Sequence, residues 1–68
     1  MDTVSPTIPV ERLSGQFRRF GEVGPVYEVV GLGSPRGDGT WNMRIILVES
    51  GEEVEYPLME LLEDPVVN

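Results

Sequence analysis

A small, mainly β domain is what this sequence predicts, and three features carry that prediction. β-Branched and aromatic residues gather in short runs such as Val26-Tyr27-Glu28-Val29-Val30. Apolar positions recur at every second residue, most plainly from Trp41 to Leu47. Glycine and proline, 8 and 6 of 68 residues, separate these runs at a spacing of roughly ten residues. Two architectures fit: a small SH3-like barrel, or a bent four-stranded antiparallel sheet, each with one short C-terminal helical turn.

Residues 1–14 read as an N-terminal tail, partly flexible, because Pro6 and Pro9 interrupt regular structure. One helical turn from Pro9 to Leu13 fits inside it, stopped by Gly15. Gln16 to Phe20 reads as a short strand, and Gly21-Glu22-Val23-Gly24-Pro25 turns the chain. In the strand Val26–Val30, Tyr27 and Val29 share one face; Val26, Glu28 and Val30 share the other. Residues 31–40, GLGSPRGDGT, hold four Gly and one Pro and are expected to form a flexible loop.

Trp41 to Glu49 is the longest strand candidate in the sequence. Trp41, Met43, Ile45 and Leu47 form one face, and Asn42, Arg44, Ile46 and Val48 the other. Ser50-Gly51 reads as a two-residue hairpin turn pairing Glu49 with Glu52. That register sets Leu47 against Val54, Ile45 against Tyr56 and Met43 against Leu58, with Arg44 diagonal to Glu55. The return strand, Glu52 to Leu58, stops pairing near Pro57. Met59 to Glu63 forms the helical turn, ended by Asp64-Pro65. The domain thus spans 15–65, with residues 66–68 as a C-terminal tail.

The chain has no Cys, His or Lys. This removes disulfides, thiolate metal sites, the commonest general base and lysine nucleophiles. Gly31-Leu32-Gly33 lacks the third glycine and the helix of a dinucleotide fingerprint, and Asp38-Gly39-Thr40 lacks the carboxylate spacing of a calcium loop. Arg36-Gly37-Asp38 spells an integrin-recognition tripeptide without the signal peptide or disulfides of an extracellular protein. No cofactor, metal or enzymatic activity is expected.

Five Arg against twelve acids give a net charge of −7. Residues 1–44 are balanced, whereas residues 45–68 hold seven acids and no base. That balance argues against polyanion backbones and anionic membranes and suits a basic partner. No apolar run is long enough to span a bilayer, no secretory signal is visible, and a chain without Cys fits a cytoplasmic home.

The expected function is therefore a non-catalytic protein-interaction or regulatory module that binds another protein or itself as a homodimer. The expected surface is built from Ile46 and Val48, apolar on the face opposite the core, together with Glu53 and Glu55 and with Arg18, Arg36 and Arg44. The chain's own ends (Val4, Ile8, Val10 and Leu13, or Leu61 and Leu62) offer a competing cover for Ile46 and Val48. Arg18-Arg19 lies between Phe17 and Phe20, and pairing with the acidic hairpin is its expected use. Interleaved arginine and aromatic residues also give a first alternative, a nucleic-acid-binding small barrel using Arg18, Arg19, Arg36 and Arg44. A second alternative is an acidic mimic that occupies a nucleic-acid-binding protein.

The segments Arg18-Arg19-Phe20-Gly21, Gly24-Pro25-Val26-Tyr27-Glu28-Val29, Glu49-Ser50-Gly51-Glu52-Glu53, Tyr56-Pro57-Leu58 and Leu62-Glu63-Asp64-Pro65 resemble a family of small bacterial proteins of unknown function. The resemblance covers roughly residues 15–65 and implies a compact, standalone bacterial domain. It brings no site residues with it.

Overall fold

In the computed structural model, which describes residues 10–67, the chain is a single antiparallel sheet with two very short helices. The order along the chain is α1 (Val10–Leu13), β1 (Phe17–Arg19), β2 (Val26–Pro35), β3 (Trp41–Leu47), β4 (Glu53–Pro57), α2 (Leu58–Leu61) and β5 (Val66–Val67). Across the sheet the strands run β4-β3-β2-β1-β5. The mainly β prediction with a short C-terminal helix holds. The sheet is open, however, and has five strands, so neither the closed barrel nor the four-stranded count describes it. After β4, residues 58–65 cross to the opposite edge, where β5 pairs with β1. The two edge strands therefore never meet.

Alternation explains which side chains are inside. Tyr27, Val29, Met43 and Ile45 share one face and are fully buried. Leu13 of α1 and Leu61 of α2 close the same core, with Phe20, Leu47, Val54, Tyr56, Leu58 and Leu62 packed around it. Burying a side chain of this size contributes about 1.5–3 kcal/mol, and without disulfides the domain relies on such packing.

Both domain ends shift from the sequence expectation. The helical turn ending at Leu13 is present and its leucine is part of the core, so residues 10–13 belong to the folded unit. Val66 and Val67 are a strand paired to Arg18 and Phe17, not a tail. Residues 1–9 and Asn68, including Val4 and Ile8, lie outside the described residues.

Two local corrections concern loops. The glycine-rich run was expected to be all loop, yet β2 continues through it to Pro35, and only residues 36–40 form the tip. Shifts in pairing between Val29 and Gly31 and between Leu32 and Pro35 absorb the irregular sequence. Gly33 is needed there: a Cβ would come within 2.9 Å of the Asn42 carbonyl oxygen and 3.1 Å of Glu55 Cδ.

The second correction is the β3–β4 register. Ile45 faces Val54, Met43 faces Tyr56 and Arg44 faces Glu55, two residues from the pairing expected. Leu47 N–H donates to the Glu52 carbonyl at 2.8 Å and Gly51 N–H to the Leu47 carbonyl at 2.7 Å, so the loop holds four residues rather than two. Gly51 supplies the left-handed turn at φ 75°. A slip of two keeps every side chain on its face, and the core assignment survives it.

Candidate functional site

The face opposite the core carries most of the residues expected to meet a partner. One row crosses all five strands: Val67, Phe17, Glu28, Ile46 and Glu53 stand side by side. Arg19 and Val26 pair in the next row, and Val48 N–H donates to the Val26 carbonyl at 3.1 Å, extending it. Phe17 is 41% and Val48 51% exposed; Ile46, Val26, Glu28 and Val67 are half-buried. Leu13, Leu61 and Leu62 all pack on the other side of the sheet, so these parts of the chain's ends do not cover Ile46 and Val48.

Polar side chains on this face are tied together. Arg44 Nε donates to Glu53 Oε2 at 2.8 Å. Toward the projecting β2–β3 hairpin, Glu55 Oε1 accepts from Ser34 Oγ at 2.6 Å and from Asn42 Nδ2 at 3.2 Å. The Ser34 hydroxyl, above all, holds the Glu55 carboxyl below its ordinary range. Arg36 donates to Asn42 Oδ1 at 3.1 Å and lies 3.8 Å from Asp38. Asp38 in turn accepts from the Thr40 hydroxyl and amide, which depress its pKa. The Arg36 and Asp38 charges of the integrin-like tripeptide thus lie against each other, in a turn that uses Asp38 structurally.

Arg18 is elsewhere. It pairs with Tyr27, points into the core face and is only 7% exposed. Its Nη1 donates to the Leu61 carbonyl at 3.0 Å and the Asp64 carbonyl at 2.8 Å, and its Nε to Gln16 Oε1 at 3.1 Å. A cation just past α2 thus joins the Asp64 amide on the Leu61 carbonyl and supplies a donor to the Asp64 carbonyl. Neither arginine pairs with the acidic hairpin as expected, since Arg19 donates to the Gly24 carbonyl at 3.1 Å. Burial also removes Arg18 from any accessible surface.

Beside Arg18 lies a cluster that sequence reading missed. Tyr27 and Tyr56 hydroxyls both donate to Asp64 Oδ2 at 2.9 Å, and Gly21 N–H donates to Oδ1 at 3.0 Å. Phe20 completes a triangle of rings, its centroid 4.5 Å from Tyr27 and 5.0 Å from Tyr56, with the two tyrosines 5.6 Å apart. Burial, then the bond to Asp64, pushes the Tyr56 hydroxyl up to about 12 and moves Tyr27 in the same direction. Both phenols therefore stay protonated at neutral pH. The carboxylate accepts from three donors, an arrangement suited to holding residues 58–67 against the sheet. No local pattern signals it, because Tyr27 and Asp64 are 37 positions apart.

Among the described residues, no three metal-ligating side chains come together, and no helix is long and apolar enough to cross a membrane. Four of the five segments that carry the family resemblance meet in space: Arg18, Phe20, Gly21, Tyr27, Tyr56 and Asp64 all belong to this one cluster. No curated protein matches the sequence. Over residues 2–68 the chain matches a family of unknown function, DUF5397, and belongs to it.

Proposed function

We propose that this chain, as a member of a family defined without an activity, is a non-catalytic interaction module whose outer sheet face docks onto another protein. One observation carries the reading. Both helices close the same side of the sheet, and the other side keeps Phe17, Ile46 and Val48 at least partly open to solvent. Large apolar residues gathered on one accessible face, interrupted by Glu28 and bordered by Glu53 and Arg44, have the composition of a docking patch. The absence of Cys supports a cytoplasmic setting, and the family resemblance supports a bacterial one.

The nucleic-acid reading has less support. It needs free arginines, whereas Arg18 is buried and Arg36 and Arg44 are engaged with acids of the same chain.

Site-specific photo-crosslinking in the source organism tests the docking face. A benzophenone side chain placed at position 48 is expected to trap a discrete protein adduct. The same group at Met59, which is 59% exposed and belongs to α2 on the other side, is expected to trap none. Absence of any adduct from position 48 sinks the reading.

A further inference from the structure

We infer that the occupant of the outer face is a basic amphipathic helix that sets an arginine or lysine against Glu28. The inference rests on the docking reading above and adds the partner's chemistry.

Glu28 is the middle residue of the row that crosses all five strands. Its two immediate neighbours in that row are Phe17 and Ile46, both apolar. Glu28 is thus a half-buried residue at the centre of the patch. An apolar partner laid over it would strand a desolvated charge, and that loss opposes the gain from covering Phe17 and Ile46. A cation delivered to the same place removes the conflict and fixes the partner's position.

Charge also decides between occupants. A second copy carries a net charge of −7 overall and brings another Glu28 to a face whose Arg44 is already taken by Glu53, and a nucleic acid brings only more negative charge. A basic surface is the one that the net charge of the chain and the position of an acid beside Phe17 and Ile46 both favour.

The sheet edges decide the partner's shape. β4 presents Glu53, Glu55 and Pro57, and β5 is two residues long. Such edges are poor templates for an added strand. The face is the better seat, and a helix about 10 Å across covers two strand spacings of about 4.8 Å each. The domain solves the same problem on its other side, where α1 lays Val10 and Leu13 on the sheet and α2 lays Leu58 and Leu61.

The test is an NMR titration of the isotope-labelled full chain with two synthetic helical peptides of matched length, one of leucine and arginine, the other of leucine and glutamate. The arginine peptide is expected to give saturable shifts centred on Phe17, Glu28, Ile46 and Val48, and the glutamate peptide none. Glu28→Gln is expected to weaken the arginine peptide about tenfold, the scale of one lost charge-assisted hydrogen bond. Glu63→Gln, which removes the same charge from an exposed site after α2, is expected to change affinity less than about twofold.

Equal weakening by the two variants, shifts centred on Glu60 and Glu63, or no saturable binding each overturns the inference. So does concentration-dependent dimerisation through this face that the arginine peptide fails to displace. Because the crosslink at position 48 is read independently, an adduct there with failure here leaves the docking reading standing and removes only the basic helix.

Discussion

The two faces of this sheet are built from the same strands, residue by residue in alternation, yet they have opposite fates. Ile45 is fully buried; Ile46, its chain neighbour, is half-open to solvent. The inner face gathers Tyr27, Val29, Met43 and Ile45 and is closed by Leu13 and Leu61. The outer face has a similar apolar supply in Phe17, Val26, Ile46 and Val48 but interrupts it with Glu28, Arg44 and Glu53. Apolar content alone did not determine which side became the core. Cover did, and cover came from two four-residue helices placed at the ends of the sheet strands.

The sharpest test of that difference is a pair of neighbours. Ile45→Ala is expected to destabilise the domain by about 2–5 kcal/mol, as for a large-to-small core change. Ile46→Ala is expected to lose less than about 1 kcal/mol. Urea unfolding measures both, and equal losses would break the distinction between the faces.

Two arginines sharpen it next. Arg18→Ala strips donors from the Leu61 and Asp64 carbonyls and should lower stability by about 2–3 kcal/mol. Arg44→Ala breaks only a surface pair with Glu53 and should lose less than about 1 kcal/mol.

Smaller effects follow at the polar cluster. Asp64→Asn leaves fewer acceptors for two tyrosines and an amide, a loss of about 1–2 kcal/mol by thermal or chemical unfolding. Tyr56 has a folded pKa raised from 10.0 to about 12. Its contribution is therefore complete below pH 10 and is lost as the pH rises through about 12. Unfolding free energies measured across that range should fall for the native chain and fall less steeply for Tyr56→Phe.

The smallest effect belongs to the outer rim. Ser34→Ala should let the Glu55 pKa rise toward the ordinary carboxylate value, visible by carboxyl NMR. The sign is fixed: a depressed carboxylate supports the fold above its ordinary range, and that support is lost on acidification.

Much of this was legible from residue order, for identifiable reasons. Period-two alternation placed Tyr27 and Val29 on one face and Glu28 on the other, and it placed Ile46 opposite the core. Alternation repeats every two residues, so it could not separate the true β3–β4 pairing from one displaced by two. The four-residue loop made that choice through backbone hydrogen bonds that no side chain announces. Arg18 was misread because an arginine normally faces water. Its inward position makes sense only once α2 has put two carbonyls within reach. Likewise β5 is a pair of valines whose strand character exists only because β1 offers an edge.

That last pairing has a kinetic side. Phe17 and Val67 meet across about fifty residues of chain, whereas β2, β3 and β4 are joined by short local turns. Long-range closure of this kind forms late and opens early. Amide exchange should accordingly report a labile β5 over a protected β2–β3 pair. In each such opening β1 becomes the momentary edge of the sheet, and Arg18 stands on it as an inward-facing charge. Edge strands carrying such a charge resist pairing with a foreign chain. The side chain that fastens the closed fold thereby guards the open one against aggregation.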